Sequence, residues 1–122
     1  MNYDPDNIFA QILRGTIPCD KVYENDHALA FRDINPQAPV HVLIIPKGPY
    51  VSCTDFGANA SPAEVADFMR AVNAVAEEQG VADTGYRLIA NAGADGLQEV
   101  PHFHMHLLGG RPLGRMLGPA PD

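Results

Sequence analysis

The sequence predicts an α+β protein whose helices pack on an antiparallel sheet. Three observations carry that reading. Segments of helical and of alternating apolar spacing follow one another in the order helix, strands, helix, strands. The first two strand segments are divided by the turn-like pair Asn25-Asp26, which marks a hairpin. The chain has 122 residues, 46% apolar and 19% charged, enough to bury one core, so residues 1–122 are expected to form a single domain.

From Asp4 to Arg14 the residues Ile8, Phe9, Ile12 and Leu13 recur at helical spacing, with Asp and Pro at the start and Gly15 past the end. "KVYEN" and "HALAFRDI" follow as the hairpin strands. "APVHVLIIPK" is a third strand, apolar on both faces and therefore central, with Pro39 and Pro46 near its ends. The longest helix is predicted from Pro62 to Gln79: Ser61 is its N-cap, Pro62 its first residue and Glu64 the partner of a capping box, and Gly80 closes it. Val65, Phe68, Met69, Val72 and Ala76 are expected to form its core-facing stripe. Two more strands, "GYRLIAN" and "HFHMHLL", are joined by the loop "AGADGLQEV", and residues 111–122 form a Pro/Gly-rich tail.

A net charge of -7 argues against nucleic acid as a partner, while leaving room for a small ligand carrying a phosphate. The N-terminal "MNYDPDNIF" has neither the basic nor the apolar region of a secretory signal, and no apolar run reaches the ~20 residues of a membrane span. A cytoplasmic protein with no membrane association is expected. Cys19 and Cys53 fit reduced thiols in that setting.

Three of the five histidines occupy alternate positions in "PHFHMHLLGG". In a strand, His102, His104 and His106 share one face while Phe103, Met105 and Leu107 take the other. Imidazole is the commonest metal ligand, yet a regular strand sets His102 and His106 some 13 Å apart at about 3.3 Å per residue, too far for both to bind one ion. Nucleophilic catalysis by the central imidazole uses the geometry better. A neutral ring attacks through one nitrogen while the other donates to an orienting acceptor.

"HFHMHLL" matches the alternating signature of the histidine triad (HIT) superfamily. "NIFAQILRGTIPCDKVYENDHALAFRDINPQAPVHVLIIPK", "GYRLIANAGADGLQEV" and "HLLGGRPLGRML" extend the resemblance to the Hint branch over most of the chain. The resemblance implies a five-stranded antiparallel sheet with two main helices, and a homodimer whose sheets join into one of ten strands. It implies hydrolysis of purine nucleoside phosphoramidates through a nucleotidyl-histidine intermediate, with no cofactor. His104 would be the nucleophile, oriented by His102, while His106 and His41 complete the phosphate-side pocket. Asp33 would accept hydrogen bonds from ribose hydroxyls. Ile8, Phe9, Ile12, Phe31, Ile34 and Leu43 would enclose the purine, and Asn91 would lie on the phosphate side. Strand parity agrees for His41 with Leu43 and for Phe31 with Asp33. Each of these apolar residues has plain core packing as its alternative.

Three departures from the family's pattern, or variations within it, stand out. Leu97 stands where relatives often carry Gly, so a phosphate-binding backbone amide would come from a residue strained by any positive φ. Glu99 would orient or protonate the leaving amine, with a solvated loop acid as its alternative. Asn7 and Ala10 stand where some relatives have zinc-binding cysteines, so no zinc is expected. The tail "RPLGRML" is a candidate for tuning substrate choice, because in relatives the C-terminus reaches the partner's site. A nucleotide-binding regulatory dimer and a dinucleoside polyphosphate hydrolase or nucleotidyl transferase of another branch are the rival functions. His106, where a transferase tends to carry Gln, favours hydrolysis by resemblance.

Overall fold

The computed structural model describes residues 1–119, so the last three residues of the expected tail lie outside the described residues. Its elements are α1 (Ile8–Leu13), β1 (Lys21–Glu24), β2 (Ala28–Arg32), β3 (Val40–Pro46), α2 (Cys53–Asn59), α3 (Pro62–Glu78), β4 (Tyr86–Ile89) and β5 (Met105–Gly109). The strands form one antiparallel sheet in the order β1-β2-β3-β5-β4, with the expected "VHVLIIP" segment at its centre.

Side-chain alternation gives this sheet two apolar faces. On one, Ala28, Ala30, Val42, Ile44 and Leu107 pack with Phe68, Val72 and Val75 of α3. On the other, Leu29, Phe31, Leu43 and Ile45 pack with Phe9 of α1. The candidate site is built on this second face. The small alanines of β2 and of α3 bring helix and sheet close on the first, where Phe56, Phe68 and Phe103 stack with ring centroids 5.0–5.3 Å apart.

Several sequence expectations shift. The first helix begins at Ile8 and not Asp4, because Asn7 is its N-cap: the Asn7 side chain accepts from the Ala10 N–H at 2.9 Å, and the Asp4 carbonyl accepts from the Asn7 backbone and side chain. In α3 the capping box of Ser61 and Glu64 forms as expected. Its buried face is rotated, however: Val65 and Met69 are 39% and 51% exposed, and Ala71 and Val75 are buried in their place. The buried face is therefore Phe68, Ala71, Val72, Val75 and Ala76. Short α2 escapes the sequence reading because it holds Gly57 and has a single buried residue, Phe56, although Ser52 caps it and Asp55 lies in its first turn.

The last strand starts at Met105, so His102 and His104 precede it. The ladder between β3 and β5 ends at the pair Ile44–Met105, and two residues on, Pro46 has no N–H to extend it. The chain departs there: the Phe103 N–H donates to the Tyr50 carbonyl at 2.7 Å and the His102 N–H to the Val100 carbonyl at 2.8 Å. Parity survives this departure, since Phe103 and Leu107 enter the core under α3.

Candidate active site

On the α1 face a cleft of about 560 Å³ opens between α1, the ends of β2 and β3, and the loop 91–100. Of the residues expected to form the site, Ile8, Phe9, Ile12, Phe31, Asp33, Ile34, Leu43, Asn91, Leu97, Glu99, His104 and His106 all line it. His41 and His102 stand behind its wall, 5% and 0% exposed. The apolar residues divide by burial. Phe9, Phe31 and Leu43 form a solid wall with Ile12 against it, whereas Ile8 and Ile34, 42% and 87% exposed, form the rim.

Hydrogen bonds fix which nitrogen of each imidazole carries its proton. The Pro46 carbonyl can only accept, so the His102 Nε2–H donates to it at 2.8 Å. The His102 carbonyl likewise takes the proton on His104 Nδ1, 2.8 Å away, which leaves the lone pair of His104 on Nε2. The Gln37 N–H donates to His41 Nδ1 at 3.1 Å, so His41 carries its proton on Nε2. That proton points to His106 Nδ1 at 2.9 Å, with Asp33 Oδ2 3.5 Å away. Neutral His106 therefore holds its own proton on Nε2. The cluster thus combines an unprotonated nitrogen on His104 with a donor on His106, the two rings 5.2 Å apart and edge to face.

All four rings are held neutral. Burial pushes the basicity of His102 below the ordinary value, with its neighbour His104 adding to that and the Pro46 carbonyl opposing it. Burial likewise lowers His104, against the His102 carbonyl and the charges of Asp33 and Glu99. For His41, burial wins over Asp33. His106 is pushed down to about 4 by burial and by His104 and His41, against Asp33. Phe9 contributes to this desolvation, its ring edge-on to His104 at 4.9 Å.

Among the described residues, Asp33, His41 and His106 bring ligand atoms within 4.8 Å of one another. A cation on His41 Nε2 would drive the proton to Nδ1, against the Gln37 N–H that faces it. The donor set suits proton placement better than metal binding.

The loop 91–100 differs in one respect from expectation. Leu97 adopts φ 58°, the left-handed conformation that favours glycine. Its N–H, however, is taken by the Ala94 carbonyl at 3.0 Å, so in this conformation it does not supply the expected phosphate-binding amide. Gln98, missed in the sequence, pins the loop: its side chain is buried, donates to the Val51 and Val100 carbonyls at 2.6 and 3.0 Å and accepts from the Gly93 N–H at 3.0 Å. Glu99 is exposed and lines the cleft, and the charged Arg32 and the exposed thiol of Cys19 also border it. The tail stays near the sheet: Arg87 donates to the Gly114 and Arg115 carbonyls, and Arg111 to that of Gln37.

Comparison with known proteins agrees with this geometry. Residues 14–113 match the HIT domain family. The chain is 49% identical over 112 residues to the purine nucleoside phosphoramidase of Escherichia coli K12, spanning 92% of this chain and 93% of the relative. It is 59% identical over 115 residues, 94% of each chain, to an uncharacterized HIT-like protein of Azospirillum brasilense. Among solved structures, a HIT family hydrolase from Legionella pneumophila superposes with a TM-score of 0.83 at 41% identity, covering 91% of this chain and 98% of that one. A histidine triad protein from Clostridium difficile gives 0.82 at 42%, covering 96% and 100%. With its antiparallel sheet, its histidine cluster and these relatives in agreement, the chain belongs to the HIT domain family.

Proposed function

We propose that this protein hydrolyses the P–N bond of purine nucleoside phosphoramidates, of the adenosine 5′-phosphoramidate type, through a nucleotidyl-His104 intermediate. The observation that carries the reading is the pair of hydrogen bonds that leaves His104 Nε2 with its lone pair in a cleft walled by Phe9, Phe31 and Leu43. The purine lies against that apolar wall, and Asp33 receives the ribose hydroxyls through lone pairs not used by Asn35 and His41.

His104 Nε2 attacks phosphorus as the P–N bond breaks, and the departing amine takes a proton from solvent, relayed by the exposed Glu99. The ring becomes a nucleotidyl-imidazolium whose Nδ1–H stays on the His102 carbonyl, which stabilises the positive charge as it develops. The Nε2–H of His106 donates to a non-bridging phosphate oxygen, and Asn91 faces the same group. Water then attacks phosphorus and gives its proton to solvent through Glu99, the P–N bond to His104 breaks with its electron pair returning to Nε2, and a nucleoside monophosphate, AMP or GMP, leaves.

The proposal includes a cytoplasmic homodimer without cofactor, nucleic acid or membrane partner. Among the described residues no helix is long and apolar enough to cross a membrane. Edge strand β1 is protected by Lys21, Glu24 and Lys47, joined by ion pairs of 3.0 and 2.7 Å. Edge strand β4 instead exposes Tyr86 and Leu88, which makes it the candidate seam for a ten-stranded sheet.

Turnover of a fluorogenic adenosine phosphoramidate by wild type and by His104→Ala tests the reading. Release of the fluorophore by wild type alone supports it. Equal AMP binding by both, with no turnover above background, identifies the chain as a nucleotide-binding module.

A further inference from the structure

Behind the cleft, the N-terminal segment crosses the back of the histidine cluster. The Tyr3 hydroxyl lies 2.8 Å from His102 Nδ1, and the two rings are 5.6 Å apart. Because His102 Nε2–H is committed to the Pro46 carbonyl at 2.8 Å, a neutral His102 has its lone pair on Nδ1, and the phenol is the donor. His102 is fully buried, so with the Tyr3 hydroxyl removed its Nδ1 would have no partner in its place.

We propose that Tyr3 is a positioning residue for the nucleophile: its hydroxyl donates to His102 Nδ1 while the Pro46 carbonyl holds Nε2–H, so the ring is fixed from both sides and the His102 carbonyl stays where it keeps the proton of His104 on Nδ1. The chain of contacts runs from the Tyr3 hydroxyl to the His102 ring, then from the His102 carbonyl to the His104 ring, with distances of 2.8 Å at both steps. Without the phenol, the buried Nδ1 lone pair has no donor, and the ring turns to find one, which loosens its bond to the Pro46 carbonyl and shifts the His102 carbonyl with it. His104 then populates the form protonated on Nε2, which has no lone pair to attack phosphorus. This inference rests on His104 being the nucleophile of the proposed reaction.

Tyr3→Phe keeps the ring packing and removes the donor. Two readouts on wild type and variant test the role: kcat and KM for the fluorogenic adenosine phosphoramidate, and the ¹⁵N resonances of the His102 and His104 rings. The expected result is a folded variant with KM within about 2-fold of wild type and kcat lowered on the order of 10-fold or more. The His102 Nδ1 resonance moves toward that of an unbonded imidazole nitrogen, and the Nε2-protonated form of His104 gains population. Unchanged kcat with an unchanged His104 spectrum overturns the proposal, as does a loss confined to KM. If Tyr3→Phe fails to fold, the wild-type spectrum decides: a proton on His102 Nδ1 refutes the relay, and a proton on Nε2 with a hydrogen-bonded Nδ1 sustains it. If wild type shows no turnover, the phosphoramidase reading fails, while the spectra still report whether Tyr3 sets the form of His104.

Discussion

His41 Nε2 lies 2.9 Å from His106 Nδ1, and the Gln37 N–H on the far side of the His41 ring makes His41 the donor of that bond. The direction matters because it fixes the His106 proton on Nε2, where it can meet a phosphate oxygen. His41→Phe removes the donor and keeps a buried ring. Supporting partners of reactive groups typically contribute about 10–100-fold to activity, so kcat should fall by that order, with AMP affinity changed less. Steady-state kinetics beside an AMP titration separates the two; a variant with wild-type kcat would show that His106 needs no such orientation.

The buried histidines also set how stability depends on pH. His41, His102, His104 and His106 all have folded-state basicities below the ordinary value of 6.5, His106 down to about 4. Above 6.5 the rings are neutral in both states and their contribution to stability is fully present. As pH falls from 6.5 toward about 4, the unfolded chain binds protons that the folded chain refuses, and stability is lost; below the folded values the loss levels off. The two carboxylates with lowered values, Glu24 and Glu64, start from 4.5, so their loss comes lower on the scale. Urea unfolding between pH 7.5 and pH 5, roughly the window set by the histidine values, should show stability falling, with a shallower slope in His106→Asn. A flat profile in wild type would contradict the buried neutral cluster.

Gln98 holds the loop that carries Leu97 and Glu99 along the cleft. Its side chain makes bonds to the Val51, Gly93 and Val100 backbones, each worth about 0.5–1.5 kcal/mol net. Gln98→Ala is therefore expected to destabilise the protein by about 2–4 kcal/mol and to raise KM as the loop loosens. Chemical denaturation and kinetics on one preparation check both, and a change below about 0.5 kcal/mol would remove Gln98 from this role.

Leu97 is 79% exposed at φ 58°. The left-handed conformation costs a non-glycine residue about 1–2 kcal/mol, while glycine gives back about 0.4–1 kcal/mol through the unfolded chain. Leu97→Gly should then stabilise by up to about 1.5 kcal/mol. Thermal unfolding showing clear destabilisation would mean that the Leu97 side chain makes a compensating contact.

Residue types and parity made much of the site legible in the sequence. The alternation in "HFHMHLL" places the histidines opposite Phe103 and Leu107, and the Ser61–Glu64 box marks where α3 starts. Local spacing does not report when a ladder stops: β5 begins late because Pro46 cannot extend it, a fact about a residue on another strand. Nor does it find the residues that hold the histidines. Tyr3 is 99 positions from His102, and Gln98 is 47 from Val51, so neither pairing leaves a periodic trace. The rotated face of α3 has another cause. Close helix–sheet contact selects small residues such as Ala71, and helical spacing alone fits the stripe through Val65 and Met69 as well as the one through Ala71 and Val75.

The proposed mechanism turns on a bond between His104 Nε2 and phosphorus. Rapid acid-free quenching of wild type during turnover of an adenosine phosphoramidate, followed by intact mass and peptide mapping, tests it directly. The expected result is a chain carrying one adenylyl group on His104, absent from His104→Ala and discharged by water to AMP. Full turnover with no such adduct under conditions where breakdown is rate-limiting, or an adduct on another residue, would contradict it.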